Sequence, residues 1–531
     1  MKRAVWTVLA LLLVSPVAFS NARALAAGAW VYELDKNKDA IITGYTGNET
    51  TLTVPAMLDG HAVTAIGSDA FTDDPITSIT IPDGVTAIDS GAFWECKDLQ
   101  SILVGDGNPK YKSDDGILFS KDGLTLLHFP AGKGQPTDGY AVPAGVATIG
   151  RCAFDHNQKL QNITLPDSVT RIEEAAFWRC NSLKTFTVPK NAVEIGGSVF
   201  ANCVSLSSFA VAAGNPAFQS VDGVLFDSTG KLLKQYPAGR AGAYTVPDGV
   251  ETICEGAFRG SNGLKQVTIC DSVTSIDGAA FAFCEELTDV RLGKGLKRMG
   301  SIAFQCCFSL KSIVIPFEVE ALDGMAFESC ESMTGIYFMG DVPVFGGDDF
   351  RNTAEGFTVH CCKSLAKSWE AYKEYPVVVF YIVAYDSCGG SDVPDQLADA
   401  GSKLMKPDDP VMENQLFGGW YTDKTYTDMW DFSVDTATTD MTLYAKWNRC
   451  PTISPVMTGG AGESSMATPS TEPTASGWNG TQTVSSGESK ETRSNGAIDN
   501  GLMWLVAVIA VIGITAFLLI RIRAGKKRPK S

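Results

Sequence analysis

The stretch Ala280-Phe281-Ala282-Phe283-Cys284 returns as Ala303-Phe304-Gln305-Cys306-Cys307 and again as Ala326-Phe327-Glu328-Ser329-Cys330, each copy 23 residues after the last. Its surroundings move in step. Ile253, Ile276, Met299 and Leu322 hold one column of the repeat, Leu264, Leu287, Leu310 and Met333 a second, and Val267, Val290, Ile313 and Ile336 a third. One such unit cannot bury its apolar face alone, whereas stacked units share a continuous core, so the period predicts a solenoid. Working outward, the repeat phenylalanine recurs as Phe71, Phe93, Phe154, Phe177, Phe200, Phe258, Phe281, Phe304 and Phe327.

A fixed period in the range of about 20–29 residues with an L-x-x-I-x-I strand marks the leucine-rich class of repeats. Two intervals are longer than the period and carry the same insert. Asn108-Pro109, Asp115-Gly116-Ile117-Leu118-Phe119 and Phe129-Pro130-Ala131-Gly132 in the first match Asn215-Pro216, Asp222-Gly223-Val224-Leu225-Phe226 and Tyr236-Pro237-Ala238-Gly239 in the second. Asp-Gly beside a short apolar run is turn-and-strand chemistry, so each insert is expected to add irregular coils. The matching pair implies an internal duplication. Ahead of the repeats, Trp30 to Leu34 and Ala40 to Tyr45 read as strands of an opening cap. Between them Asp35-Lys36-Asn37-Lys38-Asp39 mimics the start of a calcium loop, but Ala40 replaces the turn glycine and Thr46 the closing glutamate, which leaves a hairpin turn.

The units exemplified by Ile79-Thr80-Ile81-Pro82-Asp83-Gly84-Val85, followed by Ala92-Phe93 and Cys96, resemble the BspA-type bacterial leucine-rich repeat, which also occurs in some parasitic protists. The resemblance covers roughly residues 30–370. It implies a surface or secreted protein linked with adhesion to host proteins, other microbes or matrix, and it carries over no catalytic residue. After residue 376 the character changes. Val377 to Tyr385, Phe417-Gly418-Gly419-Trp420-Tyr421, Trp430-Asp431-Phe432 and Leu443 to Trp447 resemble one internalin-type B repeat, with Cys388 where asparagine is common.

The ends suggest export and anchoring. Lys2 and Arg3 precede an apolar run to Phe19, and Ala24-Leu25-Ala26 is a small-x-small site, so residues 1–26 read as a signal peptide cleaved after Ala26. Gly501 to Ile520 is uncharged and long enough for one span, and six basic residues follow it without an acid. Positive residues stay inside, so the ectodomain is expected outside the cell and the tail in the cytoplasm. A wall-sorting signal is the alternative, but no Leu-Pro-x-Thr-Gly precedes Gly501. The formal net charge is −17 although both ends are basic, so the part between them is more acidic still. That excludes nucleic acid as an expected partner.

The expected organisation is a signal peptide over 1–26, a β-rich leucine-rich-repeat solenoid of the α/β horseshoe-like class with caps at both ends over 27–376, and a small β-grasp-like module over 377–449. A Ser/Thr/Gly-rich linker over 450–500 cannot offset the entropy of ordering and is expected to be disordered. A single transmembrane helix over 501–522 and a basic tail over 523–531 complete the chain.

Cys96, Cys180, Cys203, Cys284, Cys307 and Cys330 each stand three residues after a repeat phenylalanine, a core position, so a ladder of buried thiols is expected. A disulfide between neighbours such as Cys180 and Cys203 is the geometric alternative. There is no C-x-x-C, H-E-x-x-H, G-x-S-x-G or phosphate-loop motif, so neither a metal or other cofactor nor an enzymatic activity is expected. His360 beside Cys361 is a poor catalytic pair, because strand neighbours point to opposite faces. The outward positions of the ladder strands are the candidate ligand-binding set: Gln266, Thr268, Asp289, Arg291, Ser312 and Tyr337, with Arg291 and Tyr337 as the anchors. A surface binding protein, an adhesin or host/microbe-interaction receptor for a protein or glycan ligand on host or neighbouring cells, is the expected function. A structural envelope or stalk protein is the alternative.

Overall fold

In the computed structural model, the described residues are 25–134, 139–370 and 374–449. The expected span, basic tail and linker, and all but the last two residues of the expected signal peptide, lie outside them. Each coil lays down one ladder strand, turns, adds a two-residue strand, and closes through the phenylalanine segment. Ladder strands pair in parallel one repeat apart: Gln266 opposes Asp289, and Ser312 opposes Gly335, which opposes Thr358. The two-residue strands form a second parallel ladder, with Ile253, Ile276, Met299, Leu322 and Phe345 in one row.

The horseshoe class would set helices on the third side, and the structure differs there. Among the described residues the only α-helix is the four-residue Ala366–Trp369, after the last coil. The residues two before and two after the phenylalanine are left-handed instead: Ala279 (φ 54°) and Phe283 (φ 61°) flank Phe281, and Ile302 (φ 53°) and Cys306 (φ 58°) flank Phe304. The interruption sends successive N–H groups to different partners. Phe281 and Phe283 donate to Ala303 and Gln305 of the next coil at 2.7 and 2.8 Å, while Ala282 and Cys284 donate within their own coil at 3.0 and 3.2 Å. A helix would keep every bond inside its own turn. Here half of them stitch coil to coil.

The repeat phenylalanines form a column of stacked rings. Phe304 lies 4.9 Å from Phe281 and 5.4 Å from Phe327, nearly parallel to both, and is wholly buried. Beside it runs the cysteine column, in which Cys307 Sγ donates to the carbonyl of Phe281 at 3.2 Å and Cys330 Sγ to that of Phe304 at 3.1 Å. All cysteines among the described residues are free. Burial pushes the Cys284 thiol up to about 12, so it stays protonated and serves as a small hydrophobe with one weak donor.

The inserts divide the core. Each adds a three-stranded antiparallel run whose last strand joins the second ladder. Its middle strand is buried on both faces. Leu118 packs into the first core, which reaches back to Tyr32, while Ile117 and Phe119 pack into the second. Leu225 likewise serves the second core, and Val224 and Phe226 the third. Period-two alternation thus makes each strand a partition between two apolar compartments. The Asn-Pro that opens each insert is a peg. Asn108 Nδ2 donates to the carbonyls of Pro82 and Val85 at 3.1 and 2.8 Å, and its Oδ1 accepts from the Lys110 and Tyr111 amides, both at 2.9 Å. Asn215 repeats all four bonds.

The opening cap has the expected strands Trp30–Leu34 and Ala40–Tyr45, joined by a turn that Asp35 closes by accepting the Asp39 amide at 2.8 Å. Leu25–Ala27 adds a strand, and the expected cleavage site after Ala26 falls within it. At the other end no gap separates solenoid from module. The strand Val377–Asp386 pairs in parallel with the last ladder strand, Thr358–Cys362, through Val377 to Phe380, and with Met441–Arg449 through Val383 to Asp386. One seven-stranded sheet therefore runs from the ladder into the module. The module closes its own core around Trp420, Trp430, Leu443 and Ala445. Cys388 takes the left-handed conformation (φ 51°) that asparagine tolerates, with its amide on Asp386 Oδ1 at 2.9 Å.

Candidate ligand-binding surface

Alternation along the ladder strands turns every second residue outward. Gln266, Thr268, Arg291 and Ser312 are exposed and Asp289 is half-buried. Gln266 lies opposite Asp289 and Thr268 opposite Arg291, so these side chains form two rows across the coils. Arg291 Nε lies 3.6 Å from Asp289 Oδ2, a loose pair whose arginine side chain stays 75% exposed. Gly335 and Tyr337 continue the rows, but Tyr337 is half-buried. Its ring stacks on His360 at a centroid distance of 4.2 Å and meets Phe380 edge-on at 5.6 Å. Gly335 is required beneath that histidine, since a Cβ there would lie 2.7 Å from its Nε2.

Next to Arg291 the surface opens into a groove of about 640 Å³ that crosses three coils. Val314, Pro316, Phe317 and Met339 make its apolar wall, and Arg291 and Lys294 its basic rim. Phe317 is 64% exposed and Val314 is 40% exposed. Phe317 stands at a turn position that Asp83, Asp167, Asp248 and Asp271 fill in other coils. Asp271 shows what the carboxylate does there: its Oδ1 accepts the Lys294 amide of the next coil at 2.8 Å. A phenyl ring cannot accept that bond and points to solvent instead. Met339 similarly replaces the proline found after most ladder strands. Phe317, Lys294 and Met339 lie in turns, outside the strand positions that alternation singles out. The break in the turn pattern was the available signal.

Residues 60–130, 138–234 and 241–355 match the BspA type leucine rich repeat region, in six copies, and residues 381–446 match the Listeria-Bacteroides repeat domain. The chain belongs to the BspA-type leucine-rich repeat family. Among curated proteins it is similar to two from Evansella cellulosilytica. One is named as a Gly-rich membrane protein (48% identical over 67 residues, 13% of this chain), the other as a membrane protein (38% over 85 residues, 16% of this chain). The chain spans only 8% and 13% of their lengths. Among solved structures it is similar to a leucine rich cell surface protein of Faecalibacterium prausnitzii, at 27% identity and a TM-score of 0.41, covering 66% of this chain and 98% of that one. It is also similar to the pneumococcal vaccine antigen PcpA, at 19% identity and a TM-score of 0.42, covering 68% and 99%.

Two polar clusters belong to this BspA-type architecture rather than to the groove. Where the second insert loops out, the flanking coils meet directly: the Ser198 amide donates to Glu255 and the Asn202 amide to Arg259, at 3.3 and 3.2 Å. Gly256 and Gly260 permit this, because a Cβ on either would fall within 2.3 Å of Ser198 Oγ or Asn202 Oδ1. Across the first insert an ionic clasp replaces these bonds. His156 lies between two carboxylates, with Nδ1 at 2.8 Å from Asp155 and Nε2 at 3.1 Å from Glu95, and Arg179 reaches Glu95 at 3.3 Å. Burial alone would lower the His156 pKa, but Asp155 and Glu95 outweigh it and raise it. The hydrogen bond from His156 holds Glu95 down at about 2, against the opposing effect of burial. Arg179 Nη1 also lies 3.1 Å from Nε2, so the guanidinium and the imidazole share the Glu95 carboxylate.

The second cluster lies at the junction. His360 accepts or donates at Thr358 Oγ1 (2.8 Å) through Nε2 and meets Asp399 of the repeat domain at 2.7 Å through Nδ1. Hydroxyl, imidazole and carboxylate stand in relay order, but the ring is packed under Tyr337 with 7% of its side chain exposed. Cys361 points the other way, into the core. What the chain of bonds accomplishes is to lock one domain to the other. Among the described residues no group of three His, Cys, Asp or Glu could hold a metal ion, and no helix is long and apolar enough to cross a membrane.

Proposed function

We propose that the chain is a cell-surface binding protein, an adhesin or host/microbe-interaction receptor, that engages a protein or glycan ligand through the ladder groove rather than by catalysis. The observation that carries this is Phe317. A large apolar side chain is left in solvent at a position where four other coils place an aspartate, and it lines the groove beside exposed Arg291. Folding gains nothing from that substitution, whereas an exposed apolar anchor flanked by charge suits recognition. Membership of the BspA-type family and relatives named as membrane proteins support a surface location. The proposed topology is single-pass, with the solenoid outside and the basic tail in the cytoplasm.

The test is binding of the purified full-length chain, and of its Phe317→Asp variant, to epithelial cells, matrix proteins and co-resident bacteria. Binding by the parent that the variant loses at an unchanged melting temperature supports the proposal, and uniform absence of binding overturns it. A stalk or envelope role is the second reading, favoured by the continuous sheet that joins solenoid and repeat domain. An unaltered envelope after gene deletion would count against it.

A further inference from the structure

The groove is chemically lopsided, and its asymmetry narrows the class of partner. Phe317 and Met339 offer a dry wall for one large side chain, with Val314 beside them. Across from them stand two cations in a chain where acids outnumber bases 60 to 43. Among the described residues the Arg291 side chain has only the loose Asp289 contact at 3.6 Å. Lys294 is exposed and forms no ion pair among the described residues, although its amide is fixed by Asp271 Oδ1 at 2.8 Å. The rim is therefore held in place at the backbone while its ammonium is left for another carboxylate. Glu318, next to Phe317, and Asp289 keep the groove from being uniformly basic, which disfavours a polyanion such as a nucleic acid or a sulfated glycan.

Resting on the reading above, we infer that the groove takes an extended peptide segment of a partner protein in which a carboxylate side chain lies within a few residues of an aromatic or large aliphatic one. The apolar side chain packs on Phe317 and Met339, and the carboxylate pairs with Lys294 and Arg291. An arginine offers a carboxylate two parallel donors, which sets the acid's position relative to the apolar anchor. Exposure of both cations means they contribute mostly to selection and encounter, and the apolar wall mostly to residence.

The experiment pans a random dodecapeptide phage library on the full-length chain and titrates a synthetic peptide of the enriched sequence. Enrichment of an acidic residue near an aromatic or aliphatic one is expected. Phe317→Asp and the pair Arg291→Glu with Lys294→Glu should each weaken that peptide by about tenfold or more. All three positions are exposed and aspartate already occupies the equivalent of residue 317 elsewhere, so matched melting curves serve as the folding control. Binding that Phe317→Asp abolishes but charge reversal leaves intact overturns the acidic-peptide chemistry while keeping the groove as the ligand surface. Binding indifferent to Phe317→Asp overturns both. No enrichment, or a concentration-dependent dimer in sedimentation that Phe317→Asp abolishes, overturns the inference by leaving the groove to no peptide or to a second copy of the chain.

Discussion

His360, on the last coil of the solenoid, hydrogen-bonds to Asp399 of the neighbouring repeat domain at 2.7 Å while its ring lies on Tyr337. Because Asp399 sits on the strand paired with Phe380, this single side chain ties together three strands of the shared sheet. Asp399→Asn should weaken the tie, and His360→Ala should remove it at a cost of about 1–3 kcal/mol. Hydrogen exchange is expected to rise first at Val377 to Phe380, with the Phe column unaffected. Equal loosening of both domains would contradict the arrangement.

Phe304→Ala removes one ring from a stack that is wholly buried, and should cost about 3–5 kcal/mol. Since repeats touch only their neighbours, exchange should increase around Phe281 and Phe327 and fade toward the inserts. Residues 25–104, which belong to the first core, should keep their protection.

Leu118 and Phe119 are adjacent in sequence and serve different compartments. Leu118→Ala should therefore expose amides on the Tyr32 side, and Phe119→Ala those between Phe129 and Phe209, each at about 2–5 kcal/mol. Identical exchange patterns for the two variants would show that the strand does not partition the core.

The clasp across the first insert predicts a two-sided pH dependence. Glu95 has its folded pKa lowered to about 2, so its contribution is present above its ordinary value near 4.5 and is lost as pH falls toward about 2. His156 has its pKa raised, so its contribution is complete below about 6.5 and is lost as pH rises through the folded value. Glu95→Gln should flatten the acid limb of a plot of melting temperature against pH. An unchanged acid limb would assign it to other carboxylates.

Much of the solenoid is legible in the sequence because its core columns are periodic, and a side chain's neighbours one period away are the same residue type. Phe304 needs only Phe281 and Phe327 to be understood. The inserts are less legible: that Leu118 and Phe119 face different cores depends on what lies on both sides of one strand, and no repeat surrounds them. Tyr337 shows the same limit at the candidate site. Its outward position follows from alternation, but the ring it packs on comes from Thr358–Cys362, a strand without the repeat's signature. Arg291 was readable as an outward cation. Its neighbour Phe317 lies in a turn, where the pattern is looser and its violation easier to overlook.

The strand Val377–Asp386 receives the chain from the solenoid at its beginning, and its parallel partner Met441–Arg449 passes the chain on at its end. A pull between a captured ligand on the ladder and the polypeptide beyond Arg449 therefore draws these two strands lengthwise past each other. The rungs between them are loaded together instead of being peeled apart singly. Under flow or cell movement, this joint shares tension across its whole hydrogen-bonded length.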